Sequence, residues 1–259
     1  LLKAVLSEEI FKRGFRPKYK EGRKYGVCLS HDIDFLYEPK NKNSFFISML
    51  GAVKRGNLSG IKYNVKNIIQ PQVNPDWMLD HLMSTEEKFD IQSTYFFLCL
   101  DKDEEDHNYH IASLKEYIVE LDRRGCEIGL HGGLGAYNNV SKIEAERCKL
   151  ERVLGDKVLG YRNHYLKFST PQTWRCLHEL GFAYDTSYGH ANFAGYRNGL
   201  CYPFRPIDLN TQTYIDIIEL PLHVMDVTFF KHMGLATDQA LCLFKKILAD
   251  VKRLNGVLT

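Results

Sequence analysis

No stretch of this chain approaches the roughly 18 to 20 consecutive apolar residues that a membrane span needs, so no bilayer crossing is expected. An excess of one charge is also lacking: 34 Lys and Arg stand against 32 Asp and Glu, a formal net charge of +2. No global field therefore steers the protein toward nucleic acid or an anionic surface, and a neutral or weakly charged substrate fits best. The seven cysteines (28, 99, 126, 148, 176, 201 and 242) are scattered singly, without a CxxC pair. That spacing argues against zinc fingers and disulfide frameworks and for a reducing, cytoplasmic setting. A glycine-rich phosphate loop, a P-loop and a GxSxG elbow are all missing, and no cysteine has a convincing His partner in sequence. The opening Leu1-Leu2-Lys3 resembles neither a signal peptide nor an initiator, so the chain reads as an internal piece of a longer protein.

What is present is 259 residues, 44% hydrophobic and 12% aromatic, enough for one large core. Residues 1–24 are basic and mixed and read as an N-terminal arm. Residues 25–259 read as one domain with an irregular helical excursion at about 39–75, a helix being expected over 44–54. Tyr25-Gly26-Val27-Cys28-Leu29 is a short buried strand that breaks into polar residues at Ser30. Asp76 is expected to cap a helix running to Phe89. Further strands are expected at 93–98, 127–130, 158–161, 182–184 and 215–220, helices at 110–124, 141–154, 170–180 and 237–254, and a last strand beginning within 255–259. Alternation of this kind implies a mostly parallel sheet with helices outside it, and seven or so strand signals favour a barrel over an open sheet. In either fold the functional residues lie at the carboxyl ends of the strands.

Three of those ends carry unusual polar residues: His31, Asp32 and Asp34; His131; and Arg162 and His164. In an extended segment alternate side chains share a face, so Asp32 and Asp34 point one way and His31 and Ile33 the other. Two carboxylates that close ionise readily only beside a cation, and a metal ion bound by one of them supplies it. The competing explanation is a strand-end loop whose Asp residues cap backbone amides. His131 precedes Gly132-Gly133, where backbone can approach a ligand closely, and imidazole with carboxylate is a common set for zinc and similar ions. Arg162 could hold a carboxylate in its charged form, or form an ordinary ion pair at the barrel rim. His223, just past another strand end, is a further candidate, whereas His81, His107, His110, His178, His190 and His232 receive no role.

In this order the segments Leu29-Ser30-His31-Asp32-Ile33-Asp34, Glu127-Ile128-Gly129-Leu130-His131-Gly132-Gly133, Gly160-Tyr161-Arg162-Asn163-His164-Tyr165, Ala183-Tyr184-Asp185-Thr186-Ser187 and Ile218-Glu219-Leu220-Pro221 resemble the polysaccharide deacetylase family, also called the NodB-homology group or carbohydrate esterase family 4. The likeness runs from about Tyr25 to Thr259. It implies a distorted (β/α)7-type barrel of mostly parallel strands. It also implies a divalent ion, zinc by default, held by one Asp and two His and activating water against an acetamide carbonyl. By the same likeness Asp32 is the general base and Asp34 a metal ligand, although the family's pair is adjacent and Ile33 intervenes here, so the roles could be exchanged. The family places a second His four residues after the first, where this chain has Gly135. His164 is expected to replace it, with His223 as the alternative. Arg162 then orients the base, Asp185 corresponds to the family's fourth motif, and the Tyr165 backbone amide helps to stabilise the oxyanion. The family's last motif carries a His general acid, which would fall beyond Thr259.

The expected function is removal of the N-acetyl group from a sugar or polysaccharide precursor. Tyr137, Tyr188, Phe193 and Tyr196 are candidates to stack on its rings. The alternatives are a metal-dependent amidase acting on a small non-sugar amide, and a catalytically silent carbohydrate-binding protein.

Overall fold

The apolar run at 25–29 forms only the first half of its strand. In the structure, a computed structural model that describes residues 19, 22–36, 75–101, 104–105 and 107–259, pairing starts at β1 (Gly26–Val27) and resumes through the polar residues as β2 (Ser30–Ile33). The same holds further on. Strand β3 (Thr94–Leu98) is followed by β4 (Glu127–Gly132), which takes in His131 instead of ending before it, and by β5 (Gly160–Asn163), which starts two residues later than expected and takes in Arg162. Strands β6 (Tyr184–Asp185), β7 (Ile207–Asp208), β8 (Thr213–Tyr214), β9 (Ile218–Glu219) and β10 (Val257–Leu258) complete the set. Where strands run past their expected ends the cause is the same: strand pairing continues into the barrel mouth, where the side chains are polar and the apolar signal stops.

Helix α1 (Pro75–Lys88) starts one residue before the expected cap Asp76, and α2 (Lys115–Arg123) grows from a short 3-10 turn. Helix α3 (Val140–Leu154) is opened by the Asn139 side chain, which accepts the Lys142 amide at 3.1 Å, and closed by Gly155 at φ +83°, a left-handed position that glycine adopts freely. Helix α4 (Gln172–Glu179) lies within the segment expected, and α5 (Thr237–Leu254) matches its expected limits. No helix among the described residues is long and apolar enough to cross a membrane. The N-terminal arm apart from its last residues, the helix at 44–54 and nearly all of the excursion lie outside the described residues.

Six strands pair in parallel in the order β2-β3-β4-β5-β6-β9, and β10 pairs in parallel with β1 at the start of the same strand. The segment after β9 is tied to the chain's last residue, since the amides of His223 and Val224 both donate to the Thr259 carbonyl, at 3.1 and 3.2 Å. β7 and β8 form a small antiparallel hairpin outside this ring. Arg162 on β5 reaches Ser30 and Asp32 on β2, three strand spacings away. In a flat sheet that separation is about 14 Å, beyond the reach of an arginine. The sheet is therefore curled into a distorted (β/α)7-type barrel, with the helices outside.

All five residues of β3 are buried, as expected of an inner strand covered on both faces. Ile118 and Leu121 of α2, Leu150 of α3 and Leu177 of α4 are wholly buried against the sheet. Each contributes about 1.5–3 kcal/mol of hydrophobic stabilisation. Inside the barrel, a Cβ at Gly129 would collide with the Phe96 ring. Glycine there leaves space for the ring on which Arg162 rests, 4.5 Å from its centroid. Tyr109 fixes the loop at the end of β2: its hydroxyl donates to the Ile33 carbonyl at 2.5 Å and accepts the Leu98 amide at 3.1 Å. The backbone on either side of Asp34 is thereby set.

Candidate metal centre

A cleft of about 720 Å³ opens at the carboxyl ends of the strands, and Asp32, Asp34, His131, Arg162, His164 and Tyr165 all line it. Alternation along β2 places its residues as expected. Asp32 and Asp34 face the cleft side chains, Ile33 enters the core, and His31 turns to Glu86 on α1, 2.8 Å away.

Asp34 Oδ1 stands 3.3 Å from His131 Nε2 and 3.9 Å from His164 Nε2, and the three ligand atoms lie within 4.8 Å of one another. Hydrogen bonds at the far side of each ring set the tautomers. His131 Nδ1 is 2.9 Å from the Arg162 carbonyl and His164 Nδ1 is 3.0 Å from Glu105 Oε2. Carbonyl and carboxylate oxygens only accept, so both Nδ1 atoms carry a proton and each ring turns its Nε2 toward Asp34. Asp34 Oδ1 is itself buried with no hydrogen-bond partner. A cation among them would draw a lone pair from all three atoms at once, the donor set of a metal site. Ligands about 2.0 Å from a tetrahedral ion stand roughly 3.3 Å apart; the Asp34–His131 separation matches that, His164 stands wider, and the chemistry of the set fits a divalent ion.

Asp32 lies beside this cluster. Its Oδ1 accepts Arg162 Nη1 at 2.7 Å, and the same nitrogen donates to Ser30 Oγ at 2.8 Å. Arg162 Nη2 donates to Thr186 Oγ1 at 3.2 Å, so the buried guanidinium is held on several sides. Burial works to raise the Asp32 pKa, but the Arg162 charge and hydrogen bond, with the imidazoles of His131 and His164, bring it below the ordinary carboxylate range. Burial works to lower His131, and the charges of Asp32 and Asp34 overcome it and raise its pKa.

Tyr165 sits at the edge with a left-handed backbone (φ +58°) and its ring stacked on His164, 4.0 Å between centroids. Asp185 is not brought to the cleft. It is wholly buried behind it, where its Oδ1 accepts the Ser187 hydroxyl at 2.6 Å, and Ser187 Oγ accepts the Asn163 amide at 2.8 Å. Burial raises the pKa of both Asp185 and Glu219, and the neighbouring Asp185 charge raises that of Glu219 further. His223 is likewise absent from the cleft lining. Its Nδ1 accepts the Thr259 amide at 3.3 Å, its Nε2 donates to the Leu200 carbonyl at 3.3 Å, and burial pushes its pKa down to about 4. None of Tyr137, Tyr188, Phe193 and Tyr196 lines the cleft; the aromatic rings of its lining are Phe35 and Tyr165 beside the imidazoles.

Two residues of the site carry no sequence signal. Glu105, within an acidic stretch, supports His164. His232 also lines the cleft, from a single π-helical turn, Thr228–His232, an irregularity frequent at functional sites but with no recognisable pattern beforehand.

No family model and no curated protein sequence matches the chain. Among solved structures, a protein designated a polysaccharide deacetylase from Mycobacterium smegmatis superposes with a TM-score of 0.58 at 19% identity, over 95% of this chain and 78% of that one. The chain has the polysaccharide-deacetylase fold. A second protein so designated, from Pseudomonas aeruginosa PAO1, gives a TM-score of 0.53 at 12% identity over 91% of this chain and 76% of that one. A PuuE allantoinase gives 0.60 at 13% identity, over 96% and 80%. Identities this low show the deacetylase fold alone.

Proposed function

We propose that the chain is a metal-dependent hydrolase that removes the N-acetyl group from a sugar or polysaccharide precursor. The observation that carries this reading is the convergence of Asp34, His131 and His164 on one point, with the Asp32–Arg162 pair beside it. A divalent ion held by the three, zinc by default, would polarise the amide carbonyl and make a bound water acidic. The rest is the work of the chain's own side chains. Arg162 keeps Asp32 ionised and aimed, so that Asp32 can take a proton from the attacking water. The water oxygen bonds to the acetamide carbon, the C–N bond breaks, acetate leaves, and the proton that Asp32 took up is the one the departing nitrogen needs. The Tyr165 backbone amide, in its left-handed turn, would stabilise the oxyanion. The half-exposed rings of Tyr165 and Phe35 offer flat faces to a sugar.

The likeness to an allantoinase favours a second reading, a metal-dependent amidase for a small non-sugar amide. A panel of N-acetylated mono- and oligosaccharides, with allantoin as the contrasting substrate, separates the two. The expected result is chelator-sensitive acetate release from at least one sugar and no turnover of allantoin. Turnover of allantoin alone would establish the second reading, and no turnover by the metal-loaded chain would leave a carbohydrate-binding protein without activity.

A further inference from the structure

We propose that Glu105 is a positioning residue of the metal centre, which sets the ring of His164 for coordination and locks it to the turn that follows His131. The inference rests on the metal-centre reading and extends it to a residue outside the ligand set. Glu105 follows β3, and its side chain is 16% exposed. One oxygen, Oε2, accepts both His164 Nδ1 and the Leu134 amide, each at 3.0 Å, and Oε1 accepts the Gly135 amide at 2.9 Å. Leu134 and Gly135 lie in the turn that leaves β4 just after His131, and His164 follows β5. A single carboxylate therefore joins the β3, β4 and β5 loops at the side of His164 away from Asp34.

The chemistry of that contact is directional. A carboxylate accepting three N–H groups offers no proton, so His164 keeps its own on Nδ1 and presents Nε2 to the cleft. The negative charge behind the ring makes that nitrogen a stronger donor toward a cation. His131 receives a weaker version of the same support from a neutral carbonyl. The two histidines thus differ: the His164 ring depends on a side chain that substitution can remove, and the His131 ring depends on backbone. Space for the carboxylate comes from the turn itself, since a Cβ at Gly133 would press on Leu100 at 2.7 Å and meet Glu105 Oε1 at 3.4 Å.

The test is a Co2+ titration of the full chain against a chromophoric chelator, wild type beside Glu105→Gln, together with 15N spectra of the histidine rings in both metal-free proteins. The substitution is expected to weaken Co2+ binding about 10- to 100-fold, and to change the His164 ring signals while leaving those of His131 in place. A simple loop staple would not show that selectivity. Equal Co2+ affinity in the two proteins would overturn the proposal, as would weaker binding with both rings altered alike. A wild-type chain that binds no Co2+ would remove the metal-centre reading together with this inference, whereas failure of the variant's expected effect alone leaves that reading standing.

Discussion

Asp32→Asn is expected to lower kcat for acetate release by about 100- to 10,000-fold, the usual contribution of a positioned general base. Fold and metal content should hardly change, because the Asn oxygen can still accept from Arg162 and Asp34 is untouched. The pH profile gives an independent check. The Asp32 pKa lies below the ordinary carboxylate value in the folded protein, so the ionised base persists as pH falls until that depressed pKa is crossed. The wild-type acid limb should therefore fall at unusually low pH, and Asp32→Asn should abolish that limb along with the rate. Full-rate acetate release by the variant would reject Asp32 as the base and exchange its role with a neighbour.

Arg162→Met has the second large expected effect, on stability as well as rate. The guanidinium bonds to Ser30, Asp32 and Thr186 and rests on the Phe96 ring, and removing it leaves Asp32 without its counter-ion. Breaking a buried pair from one side costs about 3–5 kcal/mol. The low end, about 3 kcal/mol, applies because the Asp32 side chain keeps 24% of its exposure to solvent, which screens the stranded charge. Denaturant unfolding measures that loss. In the surviving enzyme the acid limb should move upward, because burial still raises the Asp32 pKa while the largest opposing influence has gone. An unchanged limb would mean that Arg162 is a rim ion pair with no hold on the base.

How far the site was legible in the sequence follows from the kind of signal each residue gives. Asp32 and Asp34 were legible because side chains alternate along any strand, whatever the fold. His131 and His164 stood out as polar residues at the ends of apolar runs. Asp185 was singled out only by the family resemblance, and it shares the face of its register partners Tyr161 and Glu219, on the helix side of the sheet away from the cleft. A polar residue at a strand end looks the same in sequence whichever way the barrel's curvature points it. Strand limits failed for a related reason: Ser30, His31, His131 and Arg162 pair within strands, but nothing apolar marks them as strand. Glu105 was hidden in an acidic stretch where no periodicity picks out the carboxylate that turns inward, and its partner lies 59 positions away. The barrel itself was legible from the alternation of strands and helices, whereas its curling became evident only from contacts such as Arg162 with Asp32.

The central claim is that Asp34, His131 and His164 form a centre for one divalent ion. Elemental analysis of the purified chain after exposure to Zn2+ and removal of free ion tests it most directly. The account predicts close to one ion per wild-type chain and a large loss on replacing His131 by Ala. A folded wild-type chain that retains no stoichiometric ion, or a His131→Ala variant that retains it fully, would contradict the account.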